Sequence, residues 1–142
     1  MRDIVNNLAV ISAIAPAVYA ADNTPSVIDL LGFDSAMIAI HVGAGGITFT
    51  ASNKLEMVLS HSDDGTNFDL VTDADLQAIT GVAGGIIASF KAAHPDPTVH
   101  EVGYKGNRRY LKLLADFSGT HGTGTPLSAV VIKGNAAVRP VS

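Results

Sequence analysis

Apolar and polar positions alternate most clearly in residues 54–71, KLEMVLSHSDDGTNFDLV. Leu55, Met57 and Leu59 are separated by polar residues, which is the period of a strand with one buried face. Residues 62–65, Ser-Asp-Asp-Gly, then favour a turn, because Asp side chains bond nearby amides and glycine tolerates a positive φ. The stretch therefore predicts a β-hairpin.

Similar strand signals recur along the chain, separated by turns rich in Gly, Pro, Asn and Asp. The strand candidates are residues 8–19, 27–31, 35–42, 47–51, 86–92, 98–104, 108–117 and 127–133. Pro16 forbids a long helix in the first of these segments. One helix start is predicted at residues 72–76, and Gly81 limits it to a turn or two.

A second hairpin is predicted from residues 98–104 and 108–117, around the turn Lys105-Gly106-Asn107. Residues 27–31 and 47–51 carry the weaker signals, and without them about eight short strands recur at spacings of roughly ten residues. This predicts an all-β fold: an antiparallel β-sandwich or a jelly-roll-like barrel. The polar residues 1–7 are expected to form an extended arm.

The length of 142 residues suits one domain with a real core. We expect residues 1–16 to hold the arm and first strand, and residues 17–142 to form a single β-domain. Hydrophobic residues make up 47% of the chain and charged residues 15%, which argues against disorder. Such a composition suggests that part of the surface is covered in an assembly, although a single compact β-domain has it too.

The N-terminal apolar run, residues 8–20, looks like the core of a signal peptide. Arg2 and Asp3 cancel each other, Asn6 and Asn7 interrupt the preceding segment, and Pro16 lies inside the run. We therefore expect mature structure here. Nothing reaches the ~18–20 uninterrupted apolar residues of a membrane span, so no membrane partner is expected.

Charge and residue chemistry give little sign of a ligand or a reaction. The net charge is −4, and only Lys105, Arg108 and Arg109 cluster, so no nucleic-acid partner is expected. That cluster faces either an acidic partner or solvent. The five histidines lack metal-binding spacing, no GxSxG elbow is present, and the glycine clusters match no phosphate-binding loop. We expect no enzyme activity, no cofactor and no metal.

Five stretches, read together, carry a resemblance to a known family. They are RDIVNNLAVISAIAPA, IDLLGFDSAMIAIHVGA, LEMVLSHSDDGTNFDLVTDADL, VHEVGYKGNRRYLKLLADFSGT and PLSAVVIKGNAAVRPV. The chain resembles small structural proteins of tailed phages and prophages, of the capsid decoration (cement) or minor capsid type. The resemblance implies a protein made in the host cytoplasm that binds the major capsid protein at the virion surface, and it carries no catalytic residues.

The expected contacts with capsid or neighbouring subunits lie in two segments. They are the arm residues Arg2, Asp3, Ile4, Val5, Asn6, Asn7 and Leu8, and the basic residues Lys105, Arg108 and Arg109. A homo-oligomer is expected, with a trimer favoured because it matches local threefold positions. The alternative is a glycan-binding head fibre, tail or neck component. The chain has no Trp, so Tyr104 is the candidate for stacking on a sugar.

Overall fold

Residues 3–141 are described by a computed structural model. They form ten strands and one turn of 3-10 helix, Asp73–Asp75. The strands are β1 (Ala9–Tyr19), β2 (Ile28–Asp29), β3 (Phe33–Val42), β4 (Lys54–Ser62), β5 (Asp69–Leu70), β6 (Leu76–Gln77), β7 (Ile86–Phe90), β8 (Thr98–Tyr104), β9 (Tyr110–Ser118) and β10 (Thr125–Ala136).

The strands form two antiparallel sheets. Sheet A has the order β1-β10-β3-β8-β6, and sheet B has the order β2-β9-β4-β5 with β7 also paired to β4. When the two-residue strands β5 and β6 are set aside, the first strand pairs with the last, the second with the last but one, and so on inward. The pairs are β1–β10, β2–β9, β3–β8 and β4–β7. This is the pairing order of a jelly roll. The predicted all-β class is confirmed, with ten strands in place of about eight.

One hydrophobic core lies between the sheets, and strand alternation builds it. Sheet A contributes the fully buried Ile38, Ile40 and Val42 of β3, while sheet B contributes Leu55 and Met57 of β4. Leu111 and Leu113 of β9 are also fully buried. Each such side chain contributes about 1.5–3 kcal/mol by leaving water, so the alternation read from the sequence is the alternation that stabilises the sheets.

The first predicted hairpin is confirmed, since β4 pairs with β5 through Ser60 opposite Leu70. The Asp64 carboxylate organises its turn by accepting the backbone N–H groups of Thr66 and Asn67, both at 2.8 Å. Gly65 has φ +74°, the conformation that the turn requires. The side-chain chemistry of the turn therefore sets the return of the chain.

The second predicted hairpin is wrong, because β8 belongs to sheet A and β9 to sheet B. Residues 105–109 cross between the sheets instead of turning within one. The backbone N–H groups of Lys105 and Gly106 donate to the Asp75 carbonyl oxygen at 2.8 and 3.2 Å, which anchors the crossing. The same Gly-Asn turn chemistry serves a corner as well as a hairpin.

Two other segments also differ from their predictions. Residues 4–7 form a turn and not an extended arm: the Asn7 N–H donates to the Ile4 carbonyl oxygen at 3.1 Å, and the Asp3 carboxylate accepts the Asn6 amide. Residues 47–51 form a loop and not a strand, because the Thr50 hydroxyl accepts the N–H groups two and three residues ahead. The predicted helix start is a single 3-10 turn.

Candidate functional site

One end of the molecule collects most of the residues expected to make contacts. A row of paired residues, Ala9, Lys133, Ala36 and Tyr104, crosses sheet A near this end. Four segments lie beyond that row: residues 3–8, 29–35, 105–109 and 134–141. In sheet B, Ser62 pairs with Tyr110, and the turn at residues 62–68 lies at the same end. We call this region the arginine end.

The fold brings the two predicted contact segments together at the arginine end. The N-terminal turn is tied to the C-terminal segment, because the Val141 N–H donates to the Asn6 carbonyl oxygen at 3.0 Å. The C-terminal segment is tied to the loop before β3 by the Ala137 N–H, which donates to the Gly32 carbonyl oxygen at 2.9 Å. Arg2 lies outside the described residues.

The two arginines are held in internal ion pairs. Arg109 donates from Nε and NH2 to the two carboxylate oxygens of Asp29, at 2.8 and 2.7 Å. This bidentate hydrogen bond lowers the pKa of Asp29 to about 2. Arg108 pairs with Asp69 and lies 3.8 Å from an oxygen of Asp63. Both guanidinium groups therefore stabilise sheet B at this end, and both remain partly exposed to solvent.

Lys105 differs from the arginines. It is exposed, and within residues 3–141 its ammonium group makes no ion pair. Arg108 and Arg109, the other two basic residues predicted as contacts, each pair with a carboxylate. Among the described residues, the charge of Lys105 has no such partner. A lysine on a flexible stem can reach a carboxylate of a partner at small cost.

Tyr104 is a structural residue and not an exposed sugar-stacking platform. Its side chain is only 4% exposed. Its hydroxyl oxygen accepts the Arg108 N–H at 3.3 Å and lies 2.9 Å from Nδ1 of His61. Tyr104 and His61 thus share a hydrogen bond inside the molecule, and burial lowers the pKa of His61. The glycan alternative loses the residue on which it depended.

An open cleft of about 610 Å³ lies at the arginine end. Residues 30–36 form one wall and residues 104–109 the other, with Ala137 at the border. The first wall presents the exposed side chain of Leu31, and the second presents Lys105. The cleft therefore offers an apolar and a cationic contact side by side.

Four large apolar side chains project into solvent around this cleft and the N-terminal turn. They are between 60% and 79% exposed: Ile4, Val5, Leu31 and Val138. Exposed apolar groups that cluster, rimmed by polar residues, mark interaction surfaces. The sequence predicted Ile4 and Val5 as contacts but missed Leu31 and Val138. Both lie in turn segments without periodicity, so no local signal identified them.

The opposite end of the molecule contains aromatic packing. His94 and His100 contact the ring of Phe90, with ring centroids 5.1 Å apart in each pair. His121 is buried against Phe117. Between residues 3 and 141, no group of three or more His, Cys, Asp or Glu side chains is placed to hold a metal ion. Over the same span, no helix has the length and apolar character needed to cross a membrane.

Comparison with known proteins finds no relative by sequence and a distant likeness among solved structures. No family model matches the chain, and no curated protein matches it. Among solved structures, the chain is similar to the crystal structure of SPBc2 prophage-derived protein YomS. The two share 7% sequence identity, with a TM-score of 0.48 over 89% of this chain and 92% of the other.

Proposed function

We propose that this chain is a structural protein of a tailed-phage particle that binds the capsid surface as a decoration protein. The observation that carries the proposal is the convergence at the arginine end. Leu31 and Lys105 line the cleft there, and the N-terminal turn with the exposed Ile4 and Val5 is joined through the C-terminal segment to the wall that carries Leu31. The sequence resemblance to phage structural proteins supplies the class of partner, the major capsid protein.

The proposed role is binding, with no catalytic step, cofactor or metal. A protein that binds the assembled capsid and not its dissociated subunits stabilises the assembly by mass action. A jelly roll is a rigid platform for such a contact, because its loops gather at the ends of two packed sheets. Three copies around a local threefold position complete the proposed arrangement.

Point substitutions test the contact better than a deletion, because residues 9–16 belong to β1 and stabilise sheet A. Ile4→Asp combined with Val5→Asp places two charges on exposed side chains of the N-terminal turn. We expect about tenfold or weaker binding to particles, since a buried unpaired charge costs at least 1.4 kcal/mol at an interface. Co-sedimentation of purified protein with particles that lack it measures this.

Val27→Asp is the matched control, because Val27 is also exposed but immediately precedes β2, outside the arginine end. It is expected to bind particles like the unmodified protein, and both variants are expected to keep the melting temperature. Unchanged binding of the Ile4/Val5 double variant would contradict the proposed contact. So would an equal loss in the Val27→Asp control.

A further inference from the structure

We infer that the chain binds a second copy of itself through β1 and the outer face of sheet A. This interaction surface lies on the side of the molecule and borders the arginine end at Leu8 and Gly134. We call it the sheet A surface. It consists of the free edge of β1 and the outward side chains of β1, β10, β3 and β8.

The strand β1 is an edge strand that is left open. Among residues 3–141 it pairs with β10 alone, and sheet A ends there. Natural proteins protect such edges with charged residues, prolines and bulges. β1 has Pro16 and two register shifts in its second half, but residues 4–21 contain no charged residue. The first half, from Ala9 to Ser12, is a regular ladder with an unprotected outer edge.

The outer face of sheet A is apolar across neighbouring strands. Val10, Ile132 and Met37 lie side by side on β1, β10 and β3. The next outward row, in strand order, is Ser12, Val130, Ala39 and Glu101. Val10 and Val18, both on β1, are 64% and 61% exposed. The solvated face of a sheet normally carries polar side chains. This face instead presents aliphatic side chains.

A hollow of about 450 Å³ indents this face. Leu8, Met37 and Ile132 line it together with Gly103 and Gly134, whose missing side chains give it depth. A Cβ at Gly134 would lie 3.3 Å from the Leu8 side chain, so Leu8 folds over the same face. The face is contoured as well as apolar, and an apolar side chain of a partner fits the hollow.

The near absence of charge on the sheet A surface indicates a neutral partner. Within the described residues, the outward positions of β1, β10, β3 and β8 carry one formal charge, at Glu101. A basic or acidic partner finds almost nothing to pair with on such a surface. A second copy brings the same neutral, apolar face. Glu101 lies on the fourth strand from the β1 edge, so contacts centred on β1 and β10 leave it at the rim.

The size of the surface also fits a second copy. With strands about 4.8 Å apart and about 3.4 Å per residue, four strands of roughly nine residues cover on the order of 600 Å². A stable interface buries about 800 Å² on each partner. The β1 edge and Leu8 supply further area next to the face. Together with these contributions, the sheet A surface approaches the size of a specific interface.

Sedimentation equilibrium of the free protein, from micromolar to hundred-micromolar concentration, tests the inference. We expect a multiple of the 14.6 kDa chain mass. Val10→Glu and Val18→Glu, made separately, are each expected to raise the dissociation constant about tenfold or more, because like charges then meet across the contact. Val27→Glu is the matched control and is expected to associate like the unmodified protein.

The absence of cysteine from the chain permits a second readout. Ser12→Cys on β1 is expected to form a cross-linked pair with a short bifunctional thiol reagent, whereas Ser89→Cys on the exposed face of β7 is expected to remain single. A dimer or a closed ring of three copies supports the inference. A monomer at all concentrations overturns it, and so does an oligomer insensitive to both β1 variants. Since no particle is present, these outcomes are independent of capsid binding.

Discussion

At the scale of single residues, the protonation of side chains at the arginine end affects the stability of the folded state. The Tyr104 hydroxyl and Nδ1 of His61 form a hydrogen bond of 2.9 Å, and both side chains are buried. Burial lowers the pKa of His61, with Asp75, Arg108, Asp69 and Asp63 as the charged groups around it. The unfolded chain therefore binds a proton at a higher pH than the folded chain. As pH falls below about 6.5, the unfolded state gains protons first, and stability declines.

This sign gives a prediction for His61→Gln. Glutamine keeps a hydrogen-bond acceptor for Tyr104 but does not titrate. We expect the melting temperature of the unmodified protein to fall by a few degrees more than that of the variant between pH 7 and pH 5. His41→Gln, at an exposed position of β3, is the control for removing a histidine elsewhere in the chain. Parallel profiles for the unmodified protein and His61→Gln would contradict the role of His61.

The carboxylates act in a lower pH window. The pKa of Asp29 is lowered to about 2 by the hydrogen bonds from Arg109. Its contribution to stability is present above about pH 4 and is lost as pH falls toward 2. The histidine effect and the carboxylate effect therefore occur in different pH ranges. Burial also lowers the pKa of His100, so the difference between the profiles of the unmodified protein and His61→Gln, from pH 7 to pH 5, reports on His61 and not on Asp29.

At the scale of elements, local chemistry sets turns and strands but not their pairing. The Asp64 carboxylate accepts two backbone N–H groups and the Asn67 side chain. These hydrogen bonds lower the pKa of Asp64 and close the turn between β4 and β5. Within residues 3–141, the neighbouring Asp63 accepts no backbone N–H group, and one of its oxygens lies 3.8 Å from Arg108. The two adjacent aspartates therefore contribute differently to the stability of this turn.

Asp64→Ala is therefore expected to lower the urea midpoint of unfolding, because it frees two backbone N–H groups and one side-chain amide. Asp63→Ala is the matched control, and its midpoint should stay close to that of the unmodified protein. Asp64→Asn, which keeps one acceptor oxygen, should lie between them. Equal midpoints for Asp64→Ala and Asp63→Ala would show that the turn does not depend on Asp64.

The same scale explains what the sequence predicts. Alternation located β3, β4 and β9, because burial of one sheet face imposes a period of two wherever it occurs. Pairing of residues 98–104 with 108–117 was wrong, because a turn of the same residues can join strands of one sheet or of two. Only the core decides between them: Tyr104 must reach His61 on the other sheet.

The candidate site was predictable in part for a related reason. The basic cluster at residues 105–109 is visible in the sequence, but the carboxylates that compensate it are remote. Asp29 is 80 residues from Arg109, and Asp69 is 39 residues from Arg108. No local pattern encodes those distances, so the internal ion pairs could not be foreseen. The N-terminal segment was predicted as a contact, but its hydrogen bond from the Val141 N–H to the Asn6 carbonyl oxygen joins the two ends of the chain, and no local pattern encodes it.

At the scale of the whole molecule, contacts are divided between an end and a side. The arginine end combines apolar residues with Lys105, and we propose that it meets the capsid. The sheet A surface is neutral and apolar, and we propose that it meets another copy. A protein that binds neighbours in two directions can link sites on a large symmetric assembly, and each added contact strengthens the others through effective concentration.

The most direct test of the central proposal is the copy number of this protein in purified particles, measured by quantitative peptide mass spectrometry against the major capsid protein. A decoration protein is expected at a ratio of order one, or at one copy per few capsid subunits. A handful of copies per particle would contradict capsid decoration and place the chain at the neck, tail or fibre. Absence from the particle would contradict a structural role in the virion altogether.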